Sequence, residues 1–80
     1  MESEIPEEGG VTEELKKLAN IATDMQLDRK MRSQAINLLG QLASHEALLV
    51  LLNLAANDRL AVEDRDLALK RAREIVKKGR

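Results

Sequence analysis

The chain has 80 residues and a mass of 8.9 kDa; 44% of its residues are apolar and 34% charged, and its formal net charge is −1. That length holds one small domain, since compact domains run from about 50 to 200 residues, and the mixture of apolar and charged side chains suits a folded chain. Phe, Tyr, Trp and Cys are all absent, which excludes disulfides, thiolate metal centres, a cysteine nucleophile and aromatic stacking of nucleic-acid bases.

With its charge near zero, the chain as a whole has no strong attraction for nucleic acid or anionic lipid. The stretch from Met1 to Gly10 carries four Glu and neither Lys nor Arg. It lacks the positive start and apolar run of a secretory signal, so a cytoplasmic location is expected. The longest apolar run, Ala47 to Leu52, is broken by Asn53 and is too short for a membrane helix. Residues 1–10 hold little apolar surface besides Ile5. Too little is gained by ordering them, which predicts a disordered acidic tail in front of a single helical domain over 11–80.

From Val11 onward there is no Pro, Gly occurs only at 40 and 79, and Ala and Leu dominate; this favours helix throughout. A first helix is expected from a Thr12 cap to about Thr23. Glu13 and Glu14 fall in its first turn, and Val11, Leu15, Leu18, Ala19, Ile21 and Ala22 form one apolar arc. A second helix, over about Asp28 to Ser44, has Asp28 as N-cap and gathers Met31, Ala35, Ile36, Leu38, Leu39 and Leu42. A third runs from a Ser44 cap to about Asn57. A fourth, from about Ala61 to Lys78, ends in Lys77, Lys78 and Gly79, with basic residues answering the dipole and a glycine able to take the left-handed cap.

Shifting the chain by 33 residues aligns 15–43 with 48–76. Seven positions are then identical: Leu15/Leu48, Leu18/Leu51, Asn20/Asn53, Ala22/Ala55, Leu27/Leu60, Arg32/Arg65 and Ala35/Ala68. Two units of about 11–43 and 44–78 follow, each a helical hairpin unable to bury its apolar face alone. The stretch Met31-Arg32-Ser33-Gln34-Ala35-Ile36-Asn37-Leu38-Leu39-Gly40-Gln41-Leu42 resembles the hydrophobic-Arg-x-x-Ala-x-x-x-Leu-Gly-x-Leu pattern of HEAT-like repeats. The second unit keeps Arg65 and Ala68 but has Arg71, Ala72 and Arg73 in place of Leu38, Leu39 and Gly40.

The resemblance implies an all-α fold, two stacked hairpins in a short right-handed solenoid, and a non-enzymatic protein-interaction or scaffold role. In that family the second helices line the concave face, which points to Lys30, Asn37, Gln41, Lys70, Arg73 and Lys77 as a contact surface. The family also pairs an Asp of the intra-repeat turn with its conserved Arg, whereas here Asp24 and Asn57 precede Arg32 and Arg65 by eight residues.

Arg32 and Arg65 fall inside the apolar arcs of their helices, and a buried guanidinium must be paired. A structural role is expected for both, with Asp24, Asp28, Asp58 or Asp64 as candidate partners. In the third helix, Leu49 and Val50 stand where the first has Lys16 and Lys17, widening the apolar arc from about 160° to about 220°. Either this helix lies centrally, packed by the other three, or Leu49 and Val50 form an interface; a core so small and free of aromatics favours stacking of two copies as a homodimer.

Residues 70–80 hold six basic groups against Glu74 alone. They form a basic stripe that supports an alternative reading: a small nucleic-acid-associated protein gripping the phosphate backbone. A segment of a longer repeat array is a further alternative. His45 is the only histidine, and the acidic group Asp58, Glu63, Asp64 and Asp66 sits where carboxylates cap a helix and answer its dipole. Catalytic residues, metal ligands and cofactors are therefore not expected.

Overall fold

A computed structural model describes the backbone over residues 6–78 and the side chains of residues 13–78. The described residues form four α-helices and no strand: α1 (Pro6–Thr23), α2 (Arg29–Leu42), α3 (His45–Ala55) and α4 (Val62–Lys78). The all-α expectation is met. α1 begins earlier than expected, so Thr12 lies within the helix and does not cap it. Proline suits the first turn, where its missing N–H would find no partner in any case. The acidic tail expected over 1–10 is thus helical from Pro6; its residues 1–5, like Gly79, lie outside those described.

Two of the three N-caps foreseen in the sequence are in place. The Asp28 carboxylate accepts from the Met31 N–H at 3.1 Å, and the Ser44 hydroxyl accepts from the Ala47 N–H at 3.0 Å. Ser44 is extended (φ −85°, ψ 165°) because it opens α3, so α2 has to stop at Leu42. Only Ala43 is left to turn the chain between them. It does so at φ 52°, with its N–H donating to the Leu39 carbonyl. This is the left-handed C-cap that glycine usually supplies.

The longer turns repeat one another. In the first, the Gln26 N–H donates to Asp24 Oδ1 at 3.0 Å and the Leu27 N–H to the Asp24 carbonyl. In the second, the Arg59 N–H donates to Asn57 Oδ1 at 3.0 Å and the Leu60 N–H to the Asn57 carbonyl. Asp24 and Asn57 are matched by the 33-residue shift, and each closes its own turn in the manner Asp and Asn favour.

α1 packs on α2 and α3 on α4; α2 also lies against α3 and α4, and α1 against α3. The core is made of Leu15, Ala22, Ala35, Ile36, Leu39, Ala47, Leu51, Leu54, Leu60, Ala68, Ala72 and Ile75. α2 buries a different arc from the one expected. Arg32, Ala35, Ile36 and Leu39 are inside, while Met31, Leu38 and Leu42 are exposed. The cause is α4, which lies along the Arg32 flank and approaches closely at Gly40. A Cβ there would come within 3.1 Å of the Arg71 side chain, closer than packed carbons comfortably allow.

Alanine bears a steric cost at φ 52° that glycine does not. Ala43→Gly is therefore expected to stabilise the fold by about 1 kcal/mol, seen in thermal denaturation as a rise in Tm of about 4–8 °C. An unchanged or lowered Tm would contradict this account of the α2–α3 junction.

Candidate protein-interaction surface

Among the described residues one buried ion pair joins the two hairpins. Arg32, on α2, donates from Nε to Asp64 Oδ2 at 2.9 Å and from Nη1 to the Leu27 carbonyl at 2.6 Å. The two side chains are 9% and 1% exposed. Of the four candidate carboxylates, Asp24 and Asp28 serve their own turn and cap, and Asp58 is exposed. Asp64 lies in the first turn of α4, where the helix dipole also favours negative charge. The guanidinium therefore reads the neighbouring hairpin as well as the turn of its own. Charge-assisted bonds of this kind are the stronger class of hydrogen bond.

Arg65, the matched residue of the second hairpin, is held differently. Its Nε is buried and has no hydrogen-bond partner. The correspondence that holds for the Asp24 and Asn57 turns thus stops at the two arginines. Buried donors are almost always paired, and one left unpaired costs about 1–3 kcal/mol.

The second hairpin exposes five large apolar side chains. Leu49 and Leu52 lie one turn apart on α3, while Val62, Leu69 and Val76 recur every seven residues on α4; all five are exposed. Between α3 and α4 runs a groove of about 450 Å³ lined by Leu52, Leu69, Ala72 and Val76, with Arg73 and Lys77 beside them. A second groove, of about 340 Å³, lies between α2 and α4 and is polar, lined by Asn37, Gly40, Gln41, Arg71, Glu74 and Lys78. Arg71 spans it, donating from Nε to Asn37 Oδ1 at 2.8 Å and from Nη1 to Glu74 Oε1 at 2.9 Å.

The six residues assigned to a single contact surface consequently divide. Asn37 and Gln41 line the polar groove, where Asn37 is already bonded to Arg71. Arg73 and Lys77 border the apolar groove. Lys30 and Lys70 are exposed and line neither of these two grooves. The proposed interface pair also divides: Leu49 is exposed, while Val50 is half-buried against the core. α3 touches α1, α2 and α4, so Val50 fits the central reading of this helix and Leu49 the exposed one.

Leu69 and Val76 were not singled out by the sequence. The available signal was their seven-residue spacing with Val62, but periodicity alone gives no way to tell a covered stripe from an open one. The basic stripe of α4 is also thinner than its composition suggests, because Arg71 is engaged by Asn37 and Glu74. Among the described residues no helix is long and apolar enough to cross a membrane, and no group of three His, Asp or Glu is placed to hold a metal ion. His45 is exposed at the start of α3. Compared with protein-family models, with curated proteins and with solved structures, the chain gives no match.

Breaking the Arg32–Asp64 pair from one side strands a buried carboxylate. Arg32→Met is expected to lose about 3–5 kcal/mol in urea denaturation, and Arg32→Met with Asp64→Leu to recover most of that loss. A single variant within about 0.5 kcal/mol of the parent chain would show that the pair does not join the hairpins.

Proposed function

We propose that this chain is a non-enzymatic protein-interaction or scaffold module of HEAT-like type, a pair of stacked helical hairpins that offers surfaces and not a reaction centre. The observation that carries this reading is the groove between α3 and α4. Its floor is Leu52, Leu69, Ala72 and Val76, and Arg73 and Lys77 stand beside them. Apolar side chains gathered in the open, bordered by charge, are the mark of a surface that meets another protein. The 33-residue repeat and the two matched turns support the stacked-hairpin part of the reading.

The competing reading is phosphate-backbone binding by the exposed Lys70, Arg73, Lys77 and Lys78 of α4. An apolar groove floor gives nothing to a phosphate backbone, and Arg71 is already occupied. A photo-reactive residue in place of Leu69 is expected to yield discrete protein adducts in cells, lost with Arg73→Glu and Lys77→Glu, whereas the same residue in place of exposed Lys17 yields none. In parallel, a labelled duplex and a labelled single strand should show no anisotropy change with the protein at about 50 mM salt, where backbone contacts are strong. Salt-sensitive binding of either strand would transfer the function to the nucleic-acid reading.

A further inference from the structure

The first hairpin shows what covers a face of this kind, and with what chemistry. Shifted by 33 residues, Arg32 corresponds to Arg65 and Ile36 to Leu69. In the first hairpin Ile36 is fully buried and Arg32 holds Asp64, because α3 and α4 lie against that side of α2. In the second hairpin Leu69 is 38% exposed and the buried Nε of Arg65 has no acceptor. The same pair of positions is thus satisfied once, by a helical hairpin bearing a carboxylate in the first turn of its second helix, and left open once.

We propose, building on the interaction-module reading, that this outer face of the second hairpin docks a helical hairpin of another protein, which delivers a carboxylate to Arg65 and lays apolar side chains on Leu52, Leu69 and Val76. Charge complementarity selects the partner. Arg73 and Lys77 border the groove and no acidic residue lines it, so an acidic hairpin is attracted and a basic one repelled.

The same logic argues against a second copy of this chain. Stacked in the register of the internal repeat, a copy would bring Met31 to Arg65, since Met31 occupies the position that matches Asp64; its thioether is a poor acceptor for a guanidinium. It would also meet Arg73 at the position of Gly40, where α2 allows the close approach of Arg71. Paired face to face, two copies would set Arg73 and Lys77 against themselves.

Met31 makes the test internal to the protein, because it is exposed on α2 and is not one of the buried core residues. The probe is a fluorescently labelled chain carrying Met31→Asp with Arg65→Met, which can deliver a carboxylate and cannot receive one. The control probe carries Arg65→Met alone. Titrated with the unmodified chain, the first probe is expected to bind at least about tenfold more tightly than the control, a gap of about 1.4 kcal/mol. Arg65→Met in the titrant should erase the difference, with all variants equally helical by circular dichroism. Equal binding of the two probes, or a difference that survives Arg65→Met in the titrant, overturns the proposal. So does a dimer of the unmodified chain in sedimentation that Leu69→Glu dissolves, since the face would then belong to a second copy. None of these outcomes decides whether the module binds proteins elsewhere, which the adduct and nucleic-acid experiments measure separately.

Discussion

A guanidinium enclosed between two hairpins is the constraint on which the rest of this small structure depends. Among the described residues twelve buried apolar side chains, none aromatic, make a thin core, and at this size apolar burial barely exceeds the entropy of ordering the chain. The Arg32–Asp64 pair adds little net energy compared with a well-packed apolar alternative. What it adds is register. Arg32 bonds the Leu27 carbonyl of its own turn and Asp64 of the next hairpin, so turn, α2 and α4 are fixed to one another through one planar group. A sliding of α4 along α2 would leave both charges buried and unpaired, which apolar side chains alone would not penalise so steeply. Gly40 acts with it by letting Arg71 come close, and Arg71 then fastens Asn37 across the same helix pair.

The 33-residue repeat is kept where it serves local geometry and lost where it serves neighbours. Asp24 and Asn57 differ in charge, yet both accept from an N–H two residues on, because either side chain satisfies that turn. Arg32 and Arg65 are chemically identical and end in unlike surroundings, because what surrounds each is set by the hairpin beyond. A side chain's own sequence neighbourhood decides the first kind of feature and cannot decide the second.

That division also accounts for what was legible in the sequence. The four helices, the Asp28 and Ser44 caps and the burial of Arg32 follow from local composition, cap chemistry and helical periodicity, and the structure shows all of them. Asp64 was among the named partners of Arg32 but could not be chosen, since selecting it requires knowing that α4 lies against α2. The buried arc of α2 differs from the expected one for a like reason: Met31, Leu38 and Leu42 are as apolar as Ile36 and Leu39, and only the placement of α1, α3 and α4 around α2 decides which are covered. The end of α2 was set too late because a left-handed alanine carries no signal that glycine would have carried. At the candidate surface, Arg73 and Lys77 are legible from the sequence, whereas their apolar companions Leu69 and Val76 carry no signal that sets them apart from a covered stripe.

Consecutive residues on α4 give the stack its direction. Asp64 and Arg65 are adjacent, so on a helix they are rotated by about 100°. That rotation lets Asp64 face back toward α2 while its neighbour is turned away from it. One helix therefore holds the acceptor for the hairpin before it and, in the proposed complex, a donor for the hairpin of the partner. The first hairpin has the donor, Arg32, but Met31 in place of the acceptor. Among the described residues one buried ion pair links the hairpins, Arg65 Nε has no acceptor and methionine stands where Asp64 has its match, so the pattern reads in a single direction. Under the proposal, methionine at 31 retains apolar contact area but cannot satisfy a second guanidinium, so one atom type withheld at one position sets foreign acidic hairpins above self-stacking.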